Sequence, residues 1–395
     1  MKNSLFILTL LFASHITFGQ KVKDEDVSVK YKRLPSNPID KSITKYTGKV
    51  YLAYAEGDRK IAEEYDKNKS AADQKFAEEK KEYKDKSASD KFFEKVVLNE
   101  DNKPKKEFVE KPYIRKTSDE NLLATSYIKL EGFEKTNDAN LVITFIVHGL
   151  ERNEPVINQK KSTSVSTGSG SGQQQISYTM DIKYRNPVSV KVETTDGNLI
   201  LNEAVEKANE YRSWQSASYS SEDQARSSVK PENAIAPFEQ KLIEDNLKLA
   251  NELLNAKCAV TTAERKMKLY NVESKKGDYN DFSQAFIAAS EGYAMVIANN
   301  EEAQKKLKEA IELWEKAMKE SNPKDKKARI NEEVTIALIF NLTEAYLWIN
   351  DYSKSKLTAT RGATLDLSKK EKTRLEELKT FCDDQNQRYD ANAGK

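Results

Sequence analysis

The sequence predicts an α+β chain in which a β-rich half precedes a helical half. Three observations predict it. Between residues 120 and 205, short apolar or alternating runs follow one another across turn residues with no amphipathic helix between them, the pattern of an antiparallel β-sandwich-like region. Residues 56–95 interrupt the β-rich half with a stretch dense in Lys, Glu, Asp and Ala, a charged helical insertion. From Ser221 onward apolar residues recur at three- and four-residue steps, which reads as an all-α array of antiparallel helices. The expected organisation is a signal peptide over 1–19, a β-rich domain over 20–220 and a helical domain over 221–395.

The first element is the signal. Lys2 precedes an apolar core from Leu5 to Ala13, too short to span a bilayer, and Thr17 and Gly19 are small enough for a peptidase site before Gln20. A lipid anchor would need a Cys after the cut, where Gln20 stands. No later segment has the apolar length of a membrane helix. The expected location is therefore periplasmic or secreted, with no lipid anchor and no integral membrane segment.

Strands open the β-rich domain. Val27–Tyr31 alternates, Leu34–Pro38 is a turn cluster, and Lys49–Tyr54 alternates again. In the insertion, Ile61, Tyr65, Asn68, Ala72, Phe76 and Tyr83 form a narrow heptad-like stripe, read either as a docking arm or as a helix packed on its own domain. Leu141–Val147 is continuously apolar, as in a strand buried on both faces. Ser177–Tyr184 and Val188–Val192 alternate. Asp196-Gly197 before Asn198–Leu201 predicts a hairpin with a type I′ turn. The polar Gly/Ser/Gln tract over 160–175 cannot build a core and is expected to be a mobile loop.

In the helical half, five apolar helix faces follow one another along the chain. Phe238, Leu242, Leu249 and Leu253 mark one apolar face, and Phe282, Phe286, Ala289 and Tyr293 a second. Leu307, Ala310, Ile311 and Trp314 mark a third, Leu338, Leu342, Ala345 and Tyr346 a fourth, and Leu375, Leu378 and Cys382 the last. Breaks are expected at Gly277-Asp278, Asn299-Asn300, Asn322-Pro323 and Asn350-Asp351.

Composition excludes several functions. Charged residues make up 32% of the 395, yet the net charge is only +2, so no basic surface for nucleic acid is expected. A mean hydropathy of −0.77 suits an extended or solenoid shape with much surface per residue. Beyond residue 19 the one histidine is His148, at the end of the Leu141–Val147 run. No His-Glu-x-x-His pattern, Gly-x-Ser-x-Gly elbow or phosphate loop occurs, so His148 reads as structural and neither metal nor cofactor is expected. Cys258 and Cys382 read as buried thiols, or as a disulfide if their helices lie side by side.

Residues 336–368, IALIFNLTEAYLWINDYSKSKLTATRGATLDLS, resemble a single tetratricopeptide repeat. Leu342, Thr343 and Tyr346 match its first helix, Asn350-Asp351-Tyr352 its turn, and Ser355 and Gly362 the small positions of its second helix. Ala359 stands where a large aromatic is usual and Leu367 where a proline is common. Gly277-Asp278-Tyr279 with Phe282, Ala285 and Ala289 resembles part of another repeat. The resemblance implies a concave surface on which Phe340, Glu344, Leu347 and Trp348 face a groove or the next repeat.

These readings point to a non-enzymatic scaffold or adaptor that binds another envelope protein through a helical-repeat surface, with Phe340, Glu344, Leu347 and Trp348 as the candidate groove. The alternative is a glycan- or ligand-binding surface protein, or a hydrolase, with its site in the β-rich half. Tyr127, Phe133, Tyr178, Tyr184, Tyr211 and Trp214 are the aromatics that would stack on sugars there, unless they fill the core.

Overall fold

The computed structural model describes residues 21–87, 103–115, 117–163, 174–273 and 278–393. The predicted signal peptide, the centre of the Gly/Ser/Gln tract and Gly277 lie outside these residues. The fold is mixed α+β, with sheets concentrated in the N-terminal half and helices in the C-terminal half. Its division into units differs from the expected one. The chain separates into residues up to Pro38 together with Val260–Lys395, and Ile39–Ala259. The boundary expected at 220/221 therefore falls at 38/39 and 259/260. Two elements explain the shift. The strand β1 (Lys21–Arg33) pairs along its whole length with a strand far away in sequence, and the helices that follow Ser221 bury their apolar faces against sheets.

The sheet unit, Ile39–Ala259, begins with β2 (Lys45–Leu52), which leads into the long helix α1 (Ala55–Asp85). After the segment 103–115 come α2 (Glu120–Tyr127), β3 (Glu134–Lys135) and β4 (Leu141–Val147). β2 runs parallel to both β3 and β4, so this sheet is mixed and not antiparallel throughout. The cause is the helical connection: α1 and α2 return the chain to its starting edge, as a parallel crossover requires. The sheet is completed by β8 (Val188–Thr194) and β9 (Leu199–Ala204) in the order β3-β2-β4-β8-β9. A second sheet forms around β7 (Gln174–Arg185), with β5 (Glu151–Arg152), β6 (Val156–Thr163) and β10 (Arg212–Gln215). β6 and β7 pair from Val156↔Asp181 out to Thr163↔Gln174, so both ends of the expected 160–175 loop are strand.

The two sheets do not share one sandwich core. Each packs on a different side of α4 (Pro231–Cys258), which follows the short helix α3 (Glu222–Ser228). Ile243, Leu247, Ala250 and Leu254, at helical spacing, meet the mixed sheet, while Ile235 and Leu242 meet Met180, Ile182 and Tyr184 of the second. Of the predicted face of this helix, Leu242 is buried, Leu249 and Leu253 are part-buried, and Phe238 is exposed but stacked on Tyr184 at 5.9 Å. In β4, Leu141, Ile143, Phe145 and Val147 are fully buried and the alternate residues only half so, which corrects the two-faced burial expected. The hairpin at Gly197 forms, but not as a type I′ turn. Only Gly197 has a positive φ there (+92°), and its N–H donates to Thr194 O at 2.9 Å, so a tight turn ends in a glycine bulge.

The charged insertion lies along its own unit. Asp58 near the start of α1 accepts from both the backbone N–H and the Nε of Arg115, and Lys106 pairs with Asp73. Ala72 of the predicted stripe is buried, Tyr65, Phe76 and Tyr83 are half-buried, and Ile61 is exposed.

The helical unit is not all helix. β11 (Thr261–Glu273) lies where helix was expected, and pairs with β1 in an antiparallel ribbon from Lys21↔Glu273 to Arg33↔Thr261. The alternation of Met267 and Leu269 with Lys266 and Lys268, with the β-branched Val272 beyond it, is the strand signal that the longer helical periodicities around it obscured. Helices α5 (Asn280–Met295), α6 (Asn300–Met318), α7 (Glu332–Trp348), α8 (Tyr352–Gly362) and α9 (Lys369–Asn392) follow. α7 is their centre: every residue from Ala337 to Trp348 is buried, as expected of a helix apolar on all sides. The ribbon places Val29, Tyr31, Met267 and Leu269 in the same core. The breaks expected at Asn299 and Asn350-Asp351 hold. Asn299 caps α6, and Asp351 caps α8 by accepting from Lys354 N at 3.0 Å. α8 approaches α7 closely at Ser355, whose hydroxyl donates to Thr343 O, and at Gly362, where a Cβ would lie 2.7 Å from Ile339 Cγ2.

Candidate functional site

The four residues expected to face a groove are all buried, Phe340 and Glu344 at 0 and 1% exposed. What covers that face of α7 is the chain's own ribbon. Glu344 receives Arg265 of β11 at 3.0 Å. Phe340 packs on Tyr270, with the Arg374 guanidinium 4.7 Å from its ring. Asn341 takes both backbone groups of Tyr270: its Oδ1 accepts from Tyr270 N at 2.9 Å and its Nδ2 donates to Tyr270 O at 2.8 Å. An open groove at Phe340 and Glu344 is thus corrected to an occupied one. Two polar side chains inside an apolar helix, Asn341 and Glu344, were the sequence signal that a backbone and a cation would dock there.

Leu347 and Trp348, at the end of the same helix, have a different position. Together with Tyr31, Asn300, Asn350, Tyr352, Gln385, Arg388 and Tyr389 they line a cleft of about 330 Å³ within the helical unit. The helix end is shaped by a Schellman motif. Asn350 sits in the left-handed region at φ +62°, its N–H reaches Leu347 O, and the Asp351 N–H reaches Tyr346 O at 2.9 Å. This bend turns Tyr352 back beside Tyr389, ring centroids 5.7 Å apart. The opposite wall is held by α9: buried Arg388 donates to Leu34 O at 2.8 Å while bonded to Asp384, and Asn392 donates to Pro35 O. Trp348 makes an edge contact with Tyr31 at 5.0 Å, and its buried Nε1–H has no acceptor among the described residues. Burial pushes the Tyr352 hydroxyl up to about 12 and raises that of Tyr31, so both remain neutral hydrogen-bonding groups at physiological pH. Sequence reasoning named Leu347 and Trp348 but missed their partners on β1 and α9, which only the fold brings near.

A larger, shallower depression of about 570 Å³ lies across α6, α7 and α8, with Glu315, Lys319, Tyr346 and Arg361 on its walls. There the Tyr346 hydroxyl already donates to Glu315, and Lys354 lies over its ring at 5.2 Å.

In the sheet unit the densest polar cluster joins Tyr54, Asp58, Tyr113, Arg115 and Glu239. Tyr113 donates to Glu239 Oε2 at 2.9 Å, and the Arg115 guanidinium lies 4.8 Å from the Tyr54 ring. Desolvation raises Glu239 above the usual carboxylate range and pushes the Tyr54 hydroxyl up to about 12. Gly149, at φ +95°, leaves room for this arginine, since a Cβ would fall 2.2 Å from its Nη1. The cluster clamps the 113–115 segment to α1 and α4. Nearby, His148 Nε2 lies 2.9 Å from Ser189 Oγ at the exposed end of the mixed sheet. Among the described residues no carboxylate bonds to this histidine, so the pair lacks the third group that orients a base. Of the aromatics considered for sugar stacking in this half, Tyr184 is buried, Tyr127, Phe133, Tyr178 and Trp214 are half-buried, and only Tyr211 is exposed, beneath Arg185 at 4.7 Å. They do not form one open face.

Cys258 and Cys382 are both free and buried, and burial pushes the Cys258 thiol up to about 12. Among the described residues, no group of three or more His, Cys, Asp or Glu is placed to hold a metal ion. Among the same residues no helix is long and apolar enough to cross a membrane. No family model matches the chain, and no curated protein sequence matches it.

Proposed function

We propose that the chain is a non-enzymatic recognition protein acting outside the cytoplasm, an adaptor whose helical unit holds an envelope component in the Trp348 cleft. On this reading the helices form a tetratricopeptide-like array whose concave face is filled by the β1–β11 ribbon, leaving recognition to the end of α7. The Schellman turn at Asn350 and the close helix contacts at Ser355 and Gly362 support the likeness to that repeat. The observation that carries the reading is the Trp348 side chain, 7% exposed, lining a cleft while its N–H lacks an acceptor. A buried donor left without a partner costs roughly 1–3 kcal/mol, which a ligand acceptor would recover. The cleft's size lies at the lower end of small-ligand sites, about 300–1,000 Å³. Its polar groups are carboxamides, phenols, an indole and the cations Lys32 and Arg388, with no paired acid and base, which suits binding more than catalysis.

Hydrogen–deuterium exchange of the full chain tests this. Adding envelope extract from the exporting cells should slow exchange in peptides spanning Leu347–Tyr352 and Gln385–Tyr389. Slowing confined to residues 39–259, or none in those two peptides, would overturn the reading.

A further inference from the structure

Resting on that reading of the cleft, we infer that its ligand is a neutral saccharide ring. What the cleft leaves open matches what a sugar presents. A pyranose offers an apolar C–H face and a rim of hydroxyls, each both donor and acceptor. It therefore needs an exposed aromatic face beside a mixture of unused donors and acceptors.

The cleft supplies both. Tyr389 is 45% exposed and leans on Tyr352. Three carboxamides stand around the rings, each with bonding capacity unspent. Asn300 has no side-chain partner among the described residues, being the first residue of α6 while Asn299 does the capping. Asn350 uses its Oδ1 to accept from the Tyr352 hydroxyl and keeps its amide N–H groups open. Gln385 spends its amide N–H on Asp384 and keeps its carbonyl oxygen open. Carboxamides with free donors on one side and a free acceptor on another can take up adjacent hydroxyls. Trp348 Nε1–H adds a donor in the buried wall.

Charge narrows the class further. No carboxylate lines the cleft, which disfavours a cationic ligand. Of the two cations on its wall, Arg388 already faces Asp384 and the Leu34 carbonyl, and Lys32 donates to Thr262 Oγ1 at 3.2 Å, so neither is held ready for an anion. An extended peptide needs a long groove or a free strand edge, and the face of α7 that could serve is taken by the ribbon. A compact, uncharged, hydroxyl-rich ring is what remains. This also relocates sugar recognition from the sheet half, where the aromatics do not form a face, to the helical one.

The indole N–H resonances give a direct assay, since the chain has three tryptophans. The ¹H–¹⁵N spectrum of the full chain is recorded with glucose, galactose, mannose, N-acetylglucosamine, maltose and cellobiose, each to tens of millimolar. The Trp348 peak is identified by its loss in Trp348→Phe. The expected result is a saturable shift of that peak with at least one sugar, with Trp214 and Trp314 unmoved. Tyr389→Ala and Gln385→Ala should each weaken it about tenfold, and the fully buried Trp314 indole serves as the control that these variants fold. No shift with any of the six sugars overturns the proposal, as does a shift that survives both substitutions. The peptide N-acetyl-Gly-Phe-Gly-amide distinguishes the two levels of the argument. If it moves Trp348 and the sugars do not, the cleft is a ligand site and the saccharide assignment is wrong.

Discussion

Arg265→Met isolates the interaction that seats the ribbon on α7. Glu344 is 1% exposed and its cation is Arg265, which also lies 4.1 Å over the Phe381 ring. Methionine keeps much of the aliphatic stem and removes the charge, leaving a buried carboxylate without a cation. Breaking a buried pair in this way costs about 3–5 kcal/mol. The arginine side chain is 20% exposed, so water can reach part of the site and the lower figure applies. Loss of the ring contact adds about 0.5–1 kcal/mol. We therefore expect about 3–4 kcal/mol of destabilisation in the helical unit. Arg265→Met with Glu344→Met removes both charges and should lie within about 1 kcal/mol of the parent, because apolar replacement of a buried pair is often neutral. The assay is urea unfolding followed by tryptophan fluorescence in a Trp214→Phe background, where Trp314 and Trp348 both report the helical unit. A single variant within about 1 kcal/mol of the parent, or a double variant as unstable as the single, would refute the reasoning.

Three further outcomes follow from other contacts. Gly362→Ala should destabilise the same transition by about 1–3 kcal/mol despite alanine's better helix propensity, because its methyl would meet Ile339 at 2.7 Å; unchanged or increased stability in the urea melt contradicts the packing. Glu239 is raised by burial, so the folded state holds its proton more tightly than the unfolded chain, and stability is lost as pH rises from the unfolded value through the folded one. The stability of the parent relative to Glu239→Gln, read from Trp214 fluorescence, should therefore fall as pH rises above the ordinary glutamate value of about 4.3, and a flat or rising difference rejects the burial argument. Both thiols are buried and free, and Cys258 is pushed up to about 12, so Ellman's reagent at about pH 8 should label neither cysteine until urea unfolds the chain; rapid labelling of the native protein would show the thiols accessible.

The helices were legible because their signals are local. Trp314 with Leu307, Ala310 and Ile311, and the turn chemistry of Asn350-Asp351, depend on neighbours three or four residues away. The unit boundary was not legible, because it depends on β1 meeting β11 across more than two hundred residues, and nothing in Val27–Tyr31 names its partner. For the same reason the alternating run Lys49–Tyr54, of which Lys49–Leu52 lies in β2, read as a strand but not as a parallel one, since direction is set by the length and helicity of the connection. The candidate site was half legible. Leu347 and Trp348 were named from the repeat resemblance, whereas Tyr31 and Tyr389 join them from opposite ends of the chain.

The ribbon covers the face of α7 on which a groove was expected. Asn341 grips the backbone of Tyr270 at both its N–H and its carbonyl, the way a side chain in a groove would hold an extended peptide. Phe340 and Glu344 meet the same strand through a ring and a cation. The face of α7 that carries Phe340, Asn341 and Glu344 is thus chemically a strand-binding face, and the strand it holds is β11. To bind there, an outside peptide would have to displace Val29, Tyr31, Met267, Leu269 and Val272 from a shared core. At roughly 1.5–3 kcal/mol for each side chain, that is on the order of 10 kcal/mol. A micromolar complex is worth only about 8 kcal/mol in total. An external segment would have to match most of the ribbon's own contacts before showing any affinity. A ligand at the end of α7 leaves the ribbon in place, and it meets the open carboxamides of the cleft.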